Sequence, residues 1–90
     1  MARIVAHYYQ DLDEIVTRTL DWSDDLNGST ISTSTWTVPT GLTEVTSTSS
    51  TTTASIRMSA QATGQYVVLN TITTAASETL QVGVVVTVSN

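Results

Sequence analysis

The chain has 90 residues, with eight acidic side chains against three arginines, no lysine, no cysteine and a net charge of −5. That length allows one domain with a modest core, while the missing thiols exclude disulfides, thiolate metal sites and a cysteine nucleophile. So few cations exclude a nucleic-acid surface or an anionic membrane, either of which needs several positive charges on one face, and apolar runs such as Val84-Val85-Val86 fall far short of the ~20 residues that span a bilayer as a helix.

The N-terminal segment Met-Ala-Arg-Ile-Val-Ala-His-Tyr-Tyr has one basic residue and no long apolar stretch, which points to synthesis in the cytosol. Ile4, Val5, Tyr8 and Tyr9 follow no clear period, and Asp11-Leu12-Asp13-Glu14 breaks the pattern after them. Residues 1–13 therefore read as an N-terminal arm that orders against a neighbour, with Ile4, Val5, Tyr8 and Tyr9 as its partner-binding residues. An added edge strand on the same domain is the other reading, and the domain proper begins at residue 14.

From Glu14 to Trp22 the residues have strand character, with Val16, Leu20 and Trp22 on the core face and Arg18 near its rim. Ser23 to Ser29 is a turn, because Asn27 and Gly28 both tolerate positive φ. Leu26 is placed to plug the end of the fold. Thr30 to Val38 alternates again with Trp36 and Val38 on one face, and Ile31 on the other parity demands a bulge between Ile31 and Trp36 or a later strand start. Pro39-Thr40-Gly41 ends the run, since proline offers no ladder donor.

Leu42 to Ser47 reads as a short strand and the Ser/Thr run from Thr46 to Thr53 as a hairpin tip, threonine being a good strand residue. Thr53 to Ser59 sets Ala54, Ile56 and Met58 on one face. Gln65 to Thr74 aligns Tyr66, Val68, Asn70 and Ile72, so an inward Asn70 must find hydrogen-bond partners. Leu80 to Val88 has the cleanest period of two, which makes Val82, Val84 and Val86 core positions of a central strand. The expected fold is all-β: an antiparallel immunoglobulin-like β-sandwich of six to seven strands over residues 14–90, preceded by the arm. Trp22, Trp36, Tyr66, Val82, Val84 and Val86 form its expected core, with Tyr66 spaced from Gly64 as a tyrosine corner or as an ordinary core residue.

Chemistry is hard to assemble from these residues. The single histidine, His7, lies in the arm, and no Gly-x-Ser-x-Gly occurs, so the chain is expected not to be an enzyme. Asp21, Asp24, Asp25 and Asn27 raise calcium, but an EF-hand loop begun at Asp21 places Leu26 at the glycine position and Ser32 at the closing glutamate. No cofactor, catalytic residue or metal ligand is expected. Tryptophans stacking on sugar would make the chain a carbohydrate-binding module, an alternative decided by whether Trp22 and Trp36 are exposed.

Asp21-Trp22-Ser23-Asp24, Ile31, Ser34-Thr35-Trp36-Thr37-Val38-Pro39 and Gly41-Leu42, followed by Gly64-Gln65-Tyr66, Leu69-Asn70 and Ile72-Thr73-Thr74-Ala75, resemble the small fibre-tail adaptor or Ig-like virion proteins of tailed bacteriophages. The likeness runs over about residues 13–88. It implies a structural virion protein, made in the bacterial host cytoplasm and present in several copies of a symmetric assembly. Such a protein joins a fibre to tail or neck by protein–protein contacts with tail, neck, fibre or capsid proteins; a capsid decoration protein is the alternative. Two departures bear on attachment: Ile4, Val5, Tyr8 and Tyr9 stand where family members have a short polar lead, and Ala75-Ala76-Ser77-Glu78 replaces a more charged last hairpin.

Overall fold

A computed structural model describes residues 3–90. Seven strands, β1 (Arg3–Asp11), β2 (Ile15–Asp21), β3 (Ile31–Thr37), β4 (Leu42–Ser49), β5 (Thr53–Ala60), β6 (Gly64–Thr74) and β7 (Thr79–Ser89), and one helical turn, α1 (Ser23–Leu26), follow one another along the chain. They form a four-stranded sheet in the order β1-β7-β6-β3 and a three-stranded sheet in the order β2-β5-β4. The fold is an all-β, Ig-like sandwich.

The expected arm is an edge strand. Residues 3–11 pair with β7 in parallel, from Arg3 opposite Val82 to Asp11 opposite Ser89, while every other strand pairing among the described residues is antiparallel. Ala6, Tyr8 and Gln10 alternate inward, but the register slips between Ile4 and Ala6, so Val5 is an extra residue and Ile4 falls out of phase with that inward set. The bulge is why the segment shows no period in sequence. Gln10 is buried and donates through Nε2 to the carbonyls of Glu14 at 2.8 Å and Met58 at 3.2 Å. It thereby ties the edge strand to the opposite sheet. Met1 and Ala2, the start of the expected arm, lie outside the described residues.

The interior is filled from both sheets. Leu20, Ala54, Ile56 and Met58 of the three-stranded sheet meet Val68, Ile72, Val82, Val84, Val86 and Val88 of the four-stranded one, and Trp22, Trp36, Leu26 and Leu42 belong to the same cluster. Trp22 is 2% exposed and Trp36 7%. The turn after β2 carries Asn27 at φ 51° and Gly28 at φ 89°, and it lowers Leu26 onto the end of the core. A register slip between Ile31 and Thr33 supplies the bulge that returns Trp36 to the inner face.

Tyr66 is half-buried against this core, and its hydroxyl donates to Ala62 O at 2.9 Å and to Thr63 O at 3.3 Å. These are the bonds of a tyrosine corner, tying the start of β6 to the turn before it. The ring also explains Gly41. Any Cβ there would sit 2.5 Å from the tyrosine oxygen, at a φ of 112° that side chains avoid.

Candidate interaction surface

Alternation assigns each strand one inner and one outer set of side chains, and the registers place the outer sets in rows. Across the four-stranded sheet one row runs Ile4, Gly83, Leu69 and Thr37, and the next runs His7, Val85 and Val67. A third holds Tyr9, Thr87 and Gln65, and a fourth Gln81, Thr71 and Thr35. None of these residues is Asp, Glu, Lys or Arg. Ile4 is 42% exposed, Val67 49% and Tyr9 75%, so apolar and aromatic surface faces outward at the middle of the sheet.

Gly83 shapes that surface. A Cβ at this position would meet Ile4 Cδ1 at 2.9 Å, Leu69 Cδ2 at 3.3 Å and Val67 Cγ1 at 3.4 Å. Side chains of the two flanking strands, β1 and β6, therefore close over a gap in β7 and form an apolar patch. An exposed patch of this kind, free of charge at its centre, has the composition of the middle of a protein–protein contact.

The four expected partner-binding residues separate on the structure. Ile4 and Tyr9 lie on the outer face, and Val5 is exposed at the bulge. Tyr8 points inward, packs on the core and carries the Arg18 guanidinium 4.6 Å from its ring centre. It is a structural residue, held by core contact and a cation–π interaction. Val67 and Leu69 were missing from the expected surface, and Val85 faces the same side but is buried. Their signal was present in sequence: Tyr66 to Leu69 and Val84 to Val86 are apolar on both parities, which alternation with one wet face does not produce.

The acidic turn is occupied by its own chain. Asp21 Oδ1 accepts the Ser23 N–H at 2.9 Å, and Asp25 Oδ1 pairs with Arg3 Nη2 at 3.1 Å. The Ser23 backbone N–H, with its hydroxyl second, holds the Asp21 carboxyl below its ordinary value. Among the described residues no three His, Asp or Glu side chains come together as metal ligands would. The buried indoles leave no tryptophan face for a sugar.

A family model, the podophage GP4 fibre-tail adaptor protein gp77, matches residues 10–87. The chain belongs to this family. Membership makes it a phage structural adaptor and a component of the virion. The match begins at Gln10, so Ile4, Val5, Tyr8 and Tyr9 precede the part of the adaptor that the family model covers. No curated protein sequence matches the chain.

Solved structures resemble the adaptor in fold. The solution structure of the PKD domain from KIAA 1837 protein superposes with a TM-score of 0.59 at 21% identity, covering 98% of this chain and 84% of that one. The crystal structure of the cysteine protease inhibitor EhICP2 from Entamoeba histolytica gives 0.54 at 12% identity, covering 90% and 84%. Two proteins of such different description on one sandwich show how little the fold says about the role.

Proposed function

We propose that this adaptor joins a fibre or fibre-like component to the tail or neck of a podophage particle, by protein–protein contacts alone and in several symmetric copies. The family match over residues 10–87 carries the reading. The uncharged centre of the outer face of the four-stranded sheet supports it, because Ile4, Val67 and Leu69 offer apolar area there to another virion protein without an ion to desolvate. Repetition around a symmetry axis lets contacts that are weak singly hold a fibre together. With no nucleophile hydrogen-bonded to a histidine among the described residues, the proposed role is non-enzymatic.

Cryo-EM of the intact particle tests this. Density for the chain between tail or neck and a fibre, with the outer face covered, is the expected result. Density spread over the capsid lattice would replace the adaptor role by that of a decoration protein.

A further inference from the structure

We infer that the free edge of β4 takes up an extended segment of another virion protein as an added strand, with an acidic side chain of that segment held by Arg57. The inference rests on the adaptor reading and names where and how one partner is held.

The phase of the β4–β5 ladder can be worked out from its two ends. Gln61 N–H donates to Gly41 O at 2.9 Å and Ser50 N–H to Thr53 O at 2.8 Å, which makes Gly41/Gln61 and Ser50/Thr53 hydrogen-bonded pairs. Counting inward through the register, with Val45 as the bulged residue, Thr43, Thr46 and Thr48 bond to β5. Glu44, Ser47 and Ser49 therefore turn their backbone N–H and C=O away from the sheet. All three are exposed, as is every residue of β4 after Leu42.

Edges of this kind are ordinarily blocked, and another edge of this molecule is. On β1 the Tyr9 carbonyl accepts Arg18 Nη2 at 3.0 Å, and the Asp11 N–H donates to Glu14 Oε1 at 2.7 Å. From Thr43 to Ser49 of β4, no loop or side chain among the described residues bonds the backbone. The strand contains no proline or lysine; its bulge at Val45 and the Glu44 carboxylate interrupt the edge at one end and leave Thr46 to Ser49 as the open stretch, where Ser47 and Ser49 present their backbone groups. An open row of donors and acceptors selects an extended peptide as its occupant.

Charge selects which peptide. Arg57 lies opposite Thr46 on the outer face of the three-stranded sheet, exposed and without an ion pair among the described residues. It borders a shallow depression with Thr17, Thr46, Thr48 and Ser55. Only short hydroxyl side chains separate it from the edge, so a long guanidinium arm spans the single strand to a carboxylate on an added one. A second copy of the chain fits less well. Two β4 edges paired about a two-fold axis keep like faces together, and the outer residues Thr43, Thr46 and Thr48 bring no carboxylate to Arg57. Two chains of net charge −5 would also be brought into contact.

Particles assembled with Ser47→Pro, Ser47→Thr or no chain at all in place of the wild type test this, with bound fibre counted by gel densitometry. The proline removes an outward N–H and no ladder bond, so the purified variant is expected to melt cooperatively. Expected are particles that lose their fibre with Ser47→Pro as they do without the chain, and keep it with Ser47→Thr. Fibre retained with Ser47→Pro but lost without the chain overturns strand addition and leaves the adaptor role standing. Fibre retained without the chain overturns the adaptor role and this inference with it. Should Ser47→Pro fail to fold, Arg57→Glu on the exposed face decides, with attachment expected to weaken by roughly fivefold and unchanged attachment overturning the proposal. A dimer of the purified chain that Ser47→Pro abolishes would give the edge to a second copy and likewise overturn it.

Discussion

The indole N–H of Trp22 donates to the side-chain oxygen of Asn70 at 2.9 Å inside the core, where Asn70 Nδ2 in turn donates to Ser34 Oγ at 3.0 Å and Thr35 O at 3.1 Å. The bond joins the end of one sheet to the middle of the other, and one amide serves three groups, of which the indole N–H is fully buried and the two on β3 partly so. Replacing Asn70 by leucine strands the buried Trp22 indole and removes the part-buried bonds to Ser34 and Thr35. A loss of about 3 kcal/mol is expected in urea unfolding, at about 1–3 kcal/mol for each buried group left without a partner. Added to Trp22→Phe, the same change should cost measurably less than it does alone, because the orphaned donor is already gone.

Trp36 lies on the inner face of β3 opposite Asn70, and its Nε1 is buried without a hydrogen-bond partner among the described residues. Trp36→Ala is expected to cost about 3–5 kcal/mol, close to the whole margin of a domain this small, and to abolish the cooperative thermal transition. Trp36→Phe should be far milder. It sacrifices some volume but also removes a donor that the fold leaves unpaired.

Removing residues 1–10 should unfold the domain. The deletion takes away β1, and with it the inward Tyr8 and Gln10 and the bonds of Gln10 to the opposite sheet. It also exposes the edge of β7. Circular dichroism of the truncated chain is expected to show no cooperative melt, and a stable truncated fold would return these residues to the status of an arm.

Gly41→Ala should destabilise more than Tyr66→Phe. The phenylalanine loses only the hydroxyl bonds to Ala62 and Thr63, about 1 kcal/mol. An alanine at position 41 must push the ring aside from a backbone already at φ 112°, a conformation that costs about 1–3 kcal/mol in itself. Chemical denaturation of both variants and the double variant measures the coupling.

Asp21 gives the acid limb a definite sign. Its carboxyl is lowered in the folded state from an ordinary 3.8, so the stability it contributes is complete above that value and is lost as pH falls through the lower folded one. Asp21→Ala should melt below the wild type near neutral pH, and the gap should close as pH drops below about 3.8. A gap that stays constant across that range would assign the effect to the helical turn rather than to the charge.

Strict alternation makes much of the sandwich readable from the order of residues alone. Leu80 to Val88 announces a strand with one inner face, Asn27-Gly28 a tight turn, and the misfit of Ile31 with Trp36 a bulge. Where two effects overlap, legibility fails. At β1 a bulge at Val5 scrambles the period just where one sheet edge begins, so an integral strand resembles a loose arm. At β6 and β7 the outer face is apolar as well as the inner one, so Val67 looks like more core rather than like surface. The open edge of β4 depends on which residues bond to β5, a phase that a run of serine and threonine does not encode.

The parallel alignment of β1 with β7 has a mechanical meaning. Tension entering at the N-terminal end of β1 and leaving at the C-terminal end of β7 pulls the two strands along their length in opposite directions. Every pairing from Arg3 opposite Val82 to Asp11 opposite Ser89 then bears the load at once, whereas an antiparallel terminal pair pulled the same way would open one rung at a time. The arrangement resists such a pull by shear, which suits the proposed place of the adaptor between a fibre and the tail or neck.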